Sequence, residues 1–162
     1  MDESEIHHAY GWVLQALTQA FAERLKTIVL FGSRARGEAR PESDHDLFVV
    51  IEDLPGDILD RNRLVRLPLL PVIAHLPGSI SLVAKTPQEV DQNLTPLLFD
   101  VCLDGICLYG EAYFDPYRRR ALAAKDQAGL HRKRIGGEWV WRFPKVPAHS
   151  WEITWQGYRE YN

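Results

Sequence analysis

Nothing in the sequence approaches the roughly 18 consecutive apolar residues that a membrane span needs, and no secretory h-region opens the chain. Cysteine is scarce: only Cys102 and Cys107 occur, on either side of Gly105. Two such residues exclude a disulfide scaffold, and their spacing is not that of zinc ligands. They read as core thiols of a reduced, cytoplasmic protein. Charge of one sign is also lacking. A net charge of −3 speaks neither for nor against nucleic acid. Internal repeats and low-complexity tracts are absent. A length of 162 residues fits one domain with a real core and a small C-terminal addition. We place the main domain at residues 1–112 and a basic, aromatic-rich extension at 113–162.

What is present centres on residues 27–51. Thr27-Ile28-Val29-Leu30-Phe31 is apolar on both faces after Thr27, the pattern of a short central strand. It enters Gly32-Ser33, where a strand gives way to a short helix expected around Arg34 to Gly37. Backbone N–H groups and a hydroxyl at such a point form a ready anion site. Pro41-Glu42-Ser43 is a loop signal, and Asp44-His45-Asp46 leads into Leu47-Phe48-Val49-Val50-Ile51. On a strand, side chains two apart share a face roughly 6.6–7 Å apart. Asp44, Asp46, Phe48 and Val50 then share one face, and His45, Leu47, Val49 and Ile51 the other. Neighbouring carboxylates repel unless a cation lies between them. Two of them beside a phosphate cradle point to a magnesium–triphosphate site.

Gly32-Ser33, followed at this spacing by Asp44-x-Asp46, resembles the motif of the polymerase-β-like nucleotidyltransferases, and the short chain looks most like the minimal, stand-alone members. The resemblance runs from about Val13 to Tyr109. It implies an α/β fold, a short mixed, twisted sheet with packed helices. It implies transfer of NMP, AMP above all, from a Mg2+- or Mn2+-bound ATP or other NTP. Asp44 and Asp46 would be catalytic metal ligands, and Gly32 and Ser33 would hold phosphates. Arg34 or Arg36 could neutralise pyrophosphate, although either is equally explained as a solvated helix residue. The family also places a third carboxylate on the strand after the intervening helix, where this chain has Ser81. Asp100, Asp104 or Glu52 could replace it only if the fold brings them round. Minimal members often act with a HEPN-type helical partner, as antitoxin to toxin.

Elsewhere, Ile6, Tyr10, Val13, Leu14, Leu17, Phe21 and Leu25 predict one amphipathic helix from near Ser4 to Leu25. Residues 57–75 read as helical, broken by Pro68 and Pro71, with Ile58, Leu59, Leu64, Val65 and Leu67 available for the core. Residues 79–84 read as a third strand. Thr86-Pro87-Gln88-Glu89 is a capping box, Thr95-Pro96 starts a helix toward Asp104, and Ile106–Tyr109 is a short edge strand. A last helix is expected from Asp115-Pro116 to near Gly129. Trp139–Phe143 and Trp151–Trp155 alternate as hairpin strands do.

Three functions compete: an active transferase, a degenerate module that binds nucleotide or a partner without turnover, and a nucleic-acid binder. The last would use nine basic residues between Pro116 and Lys145, with nearby tryptophans stacking on bases. A basic helix face with core aromatics explains those residues as well and is preferred.

Overall fold

The computed structural model describes residues 3–161. Four strands form a mixed sheet: β1 (Leu25–Phe31), β2 (His45–Ile51), β3 (Ile80–Lys85) and β4 (Ile106–Tyr109). Their order is β3-β2-β1-β4, with β1 antiparallel to both β2 and β4, and β2 parallel to β3. The central strands are buried on both faces because helices cover both. On one face lie α1 (Glu3–Ala9), α2 (Gly11–Phe21) and, after the short helix α3 (Gly32–Ala35), α4 (Ile58–Arg66). Val13, Leu17, Val65 and Leu69 meet Ile28, Leu30, Leu47 and Val49 there. The other face carries α5 (Pro87–Gln92), α6 (Pro96–Asp104) and α7 (Glu111–Ala128). It packs Phe99, Val101 and Phe114 against Val29, Phe48 and Val50. This is the α/β architecture expected from the sequence.

Two hairpins follow, β5 (His131–Ile135) with β6 (Glu138–Arg142), and β7 (Ser150–Thr154) with β8 (Gly157–Tyr161). They join the second face. Trp155 is buried there with its Nε1 donating to the Val90 carbonyl at 2.7 Å, and Trp141, Phe143 and Ile153 pack around the same core.

Several boundaries differ from the sequence reading. The expected helix from Ser4 to Leu25 is two helices, parted at Tyr10 and ended at Ala22, which takes φ 47°. Leu25 pairs with Ile51 as the start of β1; strand pairing overrides local periodicity. The expected core leucines of α4 are mostly outside: Ile58, Leu59, Leu64 and Leu67 are exposed, and only Val65 is buried. Arg61 takes the inner face instead. Its guanidinium donates to both Glu89 carboxylate oxygens and to the Pro55 and Ala84 carbonyls. That turns α4 so its leucines face outward. The last helix begins at Glu111, and Pro116 lies inside it. The lost donor removes one intrahelical bond, offset by burial of Phe114, Ala121, Ala124 and Ala128. Part of the basic segment, His131–Ile135, is a strand. No helix among the described residues is long and apolar enough to cross a membrane.

Candidate functional site

Antiparallel pairing of β1 with β2 builds the site. The register sets Phe31 opposite Asp46, so the Gly-Ser turn that follows Phe31 lands beside the Asp46 carboxylate. Gly32 has φ +72°, and a Cβ placed there would overlap Asp46 Oδ2. Both observations require glycine: the backbone is left-handed, and the space a side chain would fill belongs to the carboxylate. The short helix starts at Gly32 itself, two residues earlier than expected.

Asp46 shares its face with Phe48 and Val50, as strand alternation demands, and is half-buried. Burial pushes its pKa up, a donated hydrogen bond from Ser81 opposes this, and the charge of nearby Asp44 adds to the rise. Asp44 is exposed, one residue ahead of β2, and its Oδ1 accepts a hydrogen bond from the Ser79 hydroxyl. Ser81 is the register partner of Asp46 across the parallel β2–β3 pair. The position aligned with the third acid is therefore beside Asp46, and it carries a hydroxyl.

The other acids are engaged elsewhere. Glu52 lies just past the far end of β2 and pairs with Lys26 at 2.8 Å. Asp100 and Asp104 hold Arg132 in ion pairs. Among the described residues no three His, Cys, Asp or Glu side chains come together to hold a metal. What is there is a pair of hard oxygen donors, one raised in pKa by a desolvated setting that a cation would relieve. That donor set fits magnesium or manganese bound through two carboxylates, the remaining positions being filled by water and phosphate oxygens.

The two arginines are placed differently. Arg34 donates to the carbonyls of Pro41, Ser43, Asp44 and Pro77, bracing the loop that carries Asp44. Arg36 pairs with Glu38 at 3.0 Å and lies 3.9 Å from Asp104. Glu38 also accepts from Trp139 Nε1 at 2.8 Å, the main cause of its lowered pKa, with Arg36 adding to it.

Sequence reasoning missed Tyr10, His45 and Ser79. His45 lies between the two aspartates and points to the opposite side, where it is buried. Its Nε2 is 2.6 Å from the Pro77 carbonyl and must donate, so Nδ1 accepts from the Tyr10 hydroxyl at 2.6 Å. Burial lowers its pKa, partly opposed by the bond to Pro77, and pushes Tyr10 up to about 12. This neutral chain pins the start of β2 and so presents Asp44 and Asp46. Tyr10 is 35 residues from His45, and no local pattern announces the pair.

A sequence model of the nucleotidyltransferase domain matches residues 12–81. The chain is 34% identical over 99 residues, 60% of its length, to the putative protein adenylyltransferase MJ1305 of Methanocaldococcus jannaschii, of which it covers 67%. In fold it is similar to a crystal structure of a toxin–antitoxin with AMP-PNP (TM-score 0.52, 21% identity, 72% of this chain and 86% of that one). It is likewise similar to a crystal structure of a point mutant of the toxin–antitoxin MntA-HpeT (TM-score 0.50, 22% identity, 71% of this chain and 85% of that one). On the Gly-Ser turn, the aspartate pair and this relationship together, the chain belongs to the nucleotidyltransferase domain family.

Proposed function

We propose that this protein transfers AMP from metal-bound ATP to an acceptor hydroxyl on a protein, and does so slowly. The observation that carries the reading is the contact of Gly32 with Asp46, which joins the turn and the carboxylate pair into one site. Gly32 and Ser33 bind the β and γ phosphates through backbone N–H groups and the Ser33 hydroxyl. Asp44 and Asp46 hold Mg2+ or Mn2+, whose charge neutralises the triphosphate. Arg36 supplies positive charge near the leaving pyrophosphate. The acceptor oxygen attacks the α-phosphorus as its proton passes to solvent water, the bond to the bridging oxygen breaks, and pyrophosphate leaves with its electrons.

Ser81 neither takes up the acceptor proton nor ligates a cation as a carboxylate does. General-base help contributes about 10²–10⁴-fold, so turnover is expected to be low. The same observation supports a second reading, a nucleotide-binding module without turnover. AMP as the group and protein as acceptor class are supported by the adenylyltransferase name of the archaeal relative. A HEPN-type helical protein is the acceptor to try first, given the family resemblance.

Calorimetry of ATP binding with Mg2+ tests the site. Affinity should fall about tenfold to a hundredfold in Asp44→Asn and in Asp46→Asn, the worth of one charge-assisted contact. Wild-type affinity in both variants would refute the metal–nucleotide site. Transfer from α-labelled ATP to the chain itself and to HEPN-type proteins separates the enzyme from the binding module.

A further inference from the structure

The outward face of α4 and the turn after it is apolar where a monomer's surface is normally polar. Leu59 is 77% exposed, Leu67 54% and Leu70 60%. The helix runs on through the 3-10 turn Leu67–Leu69, so residues 59, 63, 66 and 70 lie on one side at helical spacing, flanked by 60 and 67. Arg61, Val65 and Leu69 point the other way into the core.

The charges on this face are ordered. Asp60 lies toward its N-terminal end, and Arg63 and Arg66 toward its C-terminal end. Among the described residues, none of these three side chains has an ion-pair or hydrogen-bond partner. The C-terminal hairpins do not cover the face, because they pack on the opposite layer with α6 and α7.

A sign change half-way along a helix is complementary to the same helix reversed. Antiparallel pairing about a two-fold axis at Arg63 puts residue 59 opposite 67 and residue 60 opposite 66. Leu59 then meets Leu67 of the second copy, and Asp60 meets its Arg66, each contact made twice. Arg63 is three residues, about 4.5 Å along the axis, from the level of Asp60 in the other copy and reaches it rather than its own counterpart. A wholly acidic partner would leave Asp60 facing like charge, and a wholly basic one would repel both arginines. Self-complementarity of this kind is what an isologous interface needs. We infer that the chain pairs with a second copy of itself through the Leu59–Leu70 face of α4. Asp46 faces the other side of the sheet, so both nucleotide sites stay open to an acceptor.

Sedimentation equilibrium between about 1 and 100 µM at 150 mM NaCl tests this. Wild type should run at twice the 18.6 kDa chain mass. Leu67→Glu should weaken association about a hundredfold, because it sets a carboxylate against Leu59 at both copies of the apolar contact. Asp60→Arg and Arg66→Asp should each be monomeric alone and pair again when mixed, because the exchanged charges then oppose. These positions are exposed, and recovery on mixing rules out misfolding as the cause. A monomeric wild type at 100 µM overturns the inference, as does a dimer that survives Leu67→Glu. Failure of the mixed variants to pair overturns the proposed register. None of these outcomes depends on whether the chain transfers AMP.

Discussion

Replacing Ser81 by Asp should destabilise the protein without metal and make it more responsive to metal. Ser81 is paired with Asp46 across β2 and β3, and adjacent strands lie about 4.8 Å apart. Two carboxylates about 5 Å apart repel by about 0.8 kcal/mol in water and about 3.3 kcal/mol at an effective dielectric of 20. Asp46 is half-buried, which places the cost between those limits. The substitution also removes the hydrogen bond that Ser81 donates to Asp46, worth about 1.5 kcal/mol or more to a charged acceptor. Together the cost is about 2–5 kcal/mol, or a melting point lowered by about 5–20 °C for a chain of this size. Magnesium should reverse it, because three carboxylates in place of two surround the cation. The assay is a thermal melt in EDTA and in 10 mM MgCl2, beside AMP transfer from labelled ATP. The variant should gain more from magnesium than wild type does, and transfer should rise. An unchanged melting point in EDTA would show that Ser81 does not neighbour Asp46. A variant destabilised in EDTA but indifferent to magnesium would show that the aspartate pair binds no metal.

Three further outcomes are expected. Gly32→Ala should cost about 1–3 kcal/mol from the left-handed backbone alone and should also weaken ATP binding, since its methyl meets Asp46 Oδ2; a denaturant melt and calorimetry check both, and unchanged values in each would refute the close approach. Arg132→Met should destabilise by about 2 kcal/mol, less than the roughly 3–5 kcal/mol of a fully buried broken pair because Asp100 is partly exposed, and near-ultraviolet circular dichroism should report the loss of its 4.4 Å contact over Trp141. The thiols of Cys102 and Cys107 are pushed up to about 12 and about 11, chiefly by burial; at pH 8 the first is ionised in roughly one molecule in ten thousand, so iodoacetamide should label both only after unfolding, and rapid native labelling would show that they are not buried.

Where a structural feature is set within a short stretch, the sequence announced it. Gly32-Ser33 and Asp44-x-Asp46 are read as a site because strand alternation and a left-handed turn are properties of a few consecutive residues. The same holds for the Thr86 capping box and for the Thr95-Pro96 start of α6, both present as expected. Tertiary structure decided what depends on partners distant in the chain. Leu25 left its helix because Ile51 offered a strand to pair with. The leucines of α4 face outward because Arg61 found Glu89, 28 residues on. Arg34, a candidate for phosphate, donates instead to carbonyls of the loop that carries Asp44. The aspartates are presented by a buried chain from Tyr10 through His45 to Pro77. Local pattern specifies which residues can do chemistry, since propensity and alternation act over a turn or a strand. Which partners they have follows from strand order and from burial that must satisfy every polar group, and those conditions exist only when the whole chain is folded.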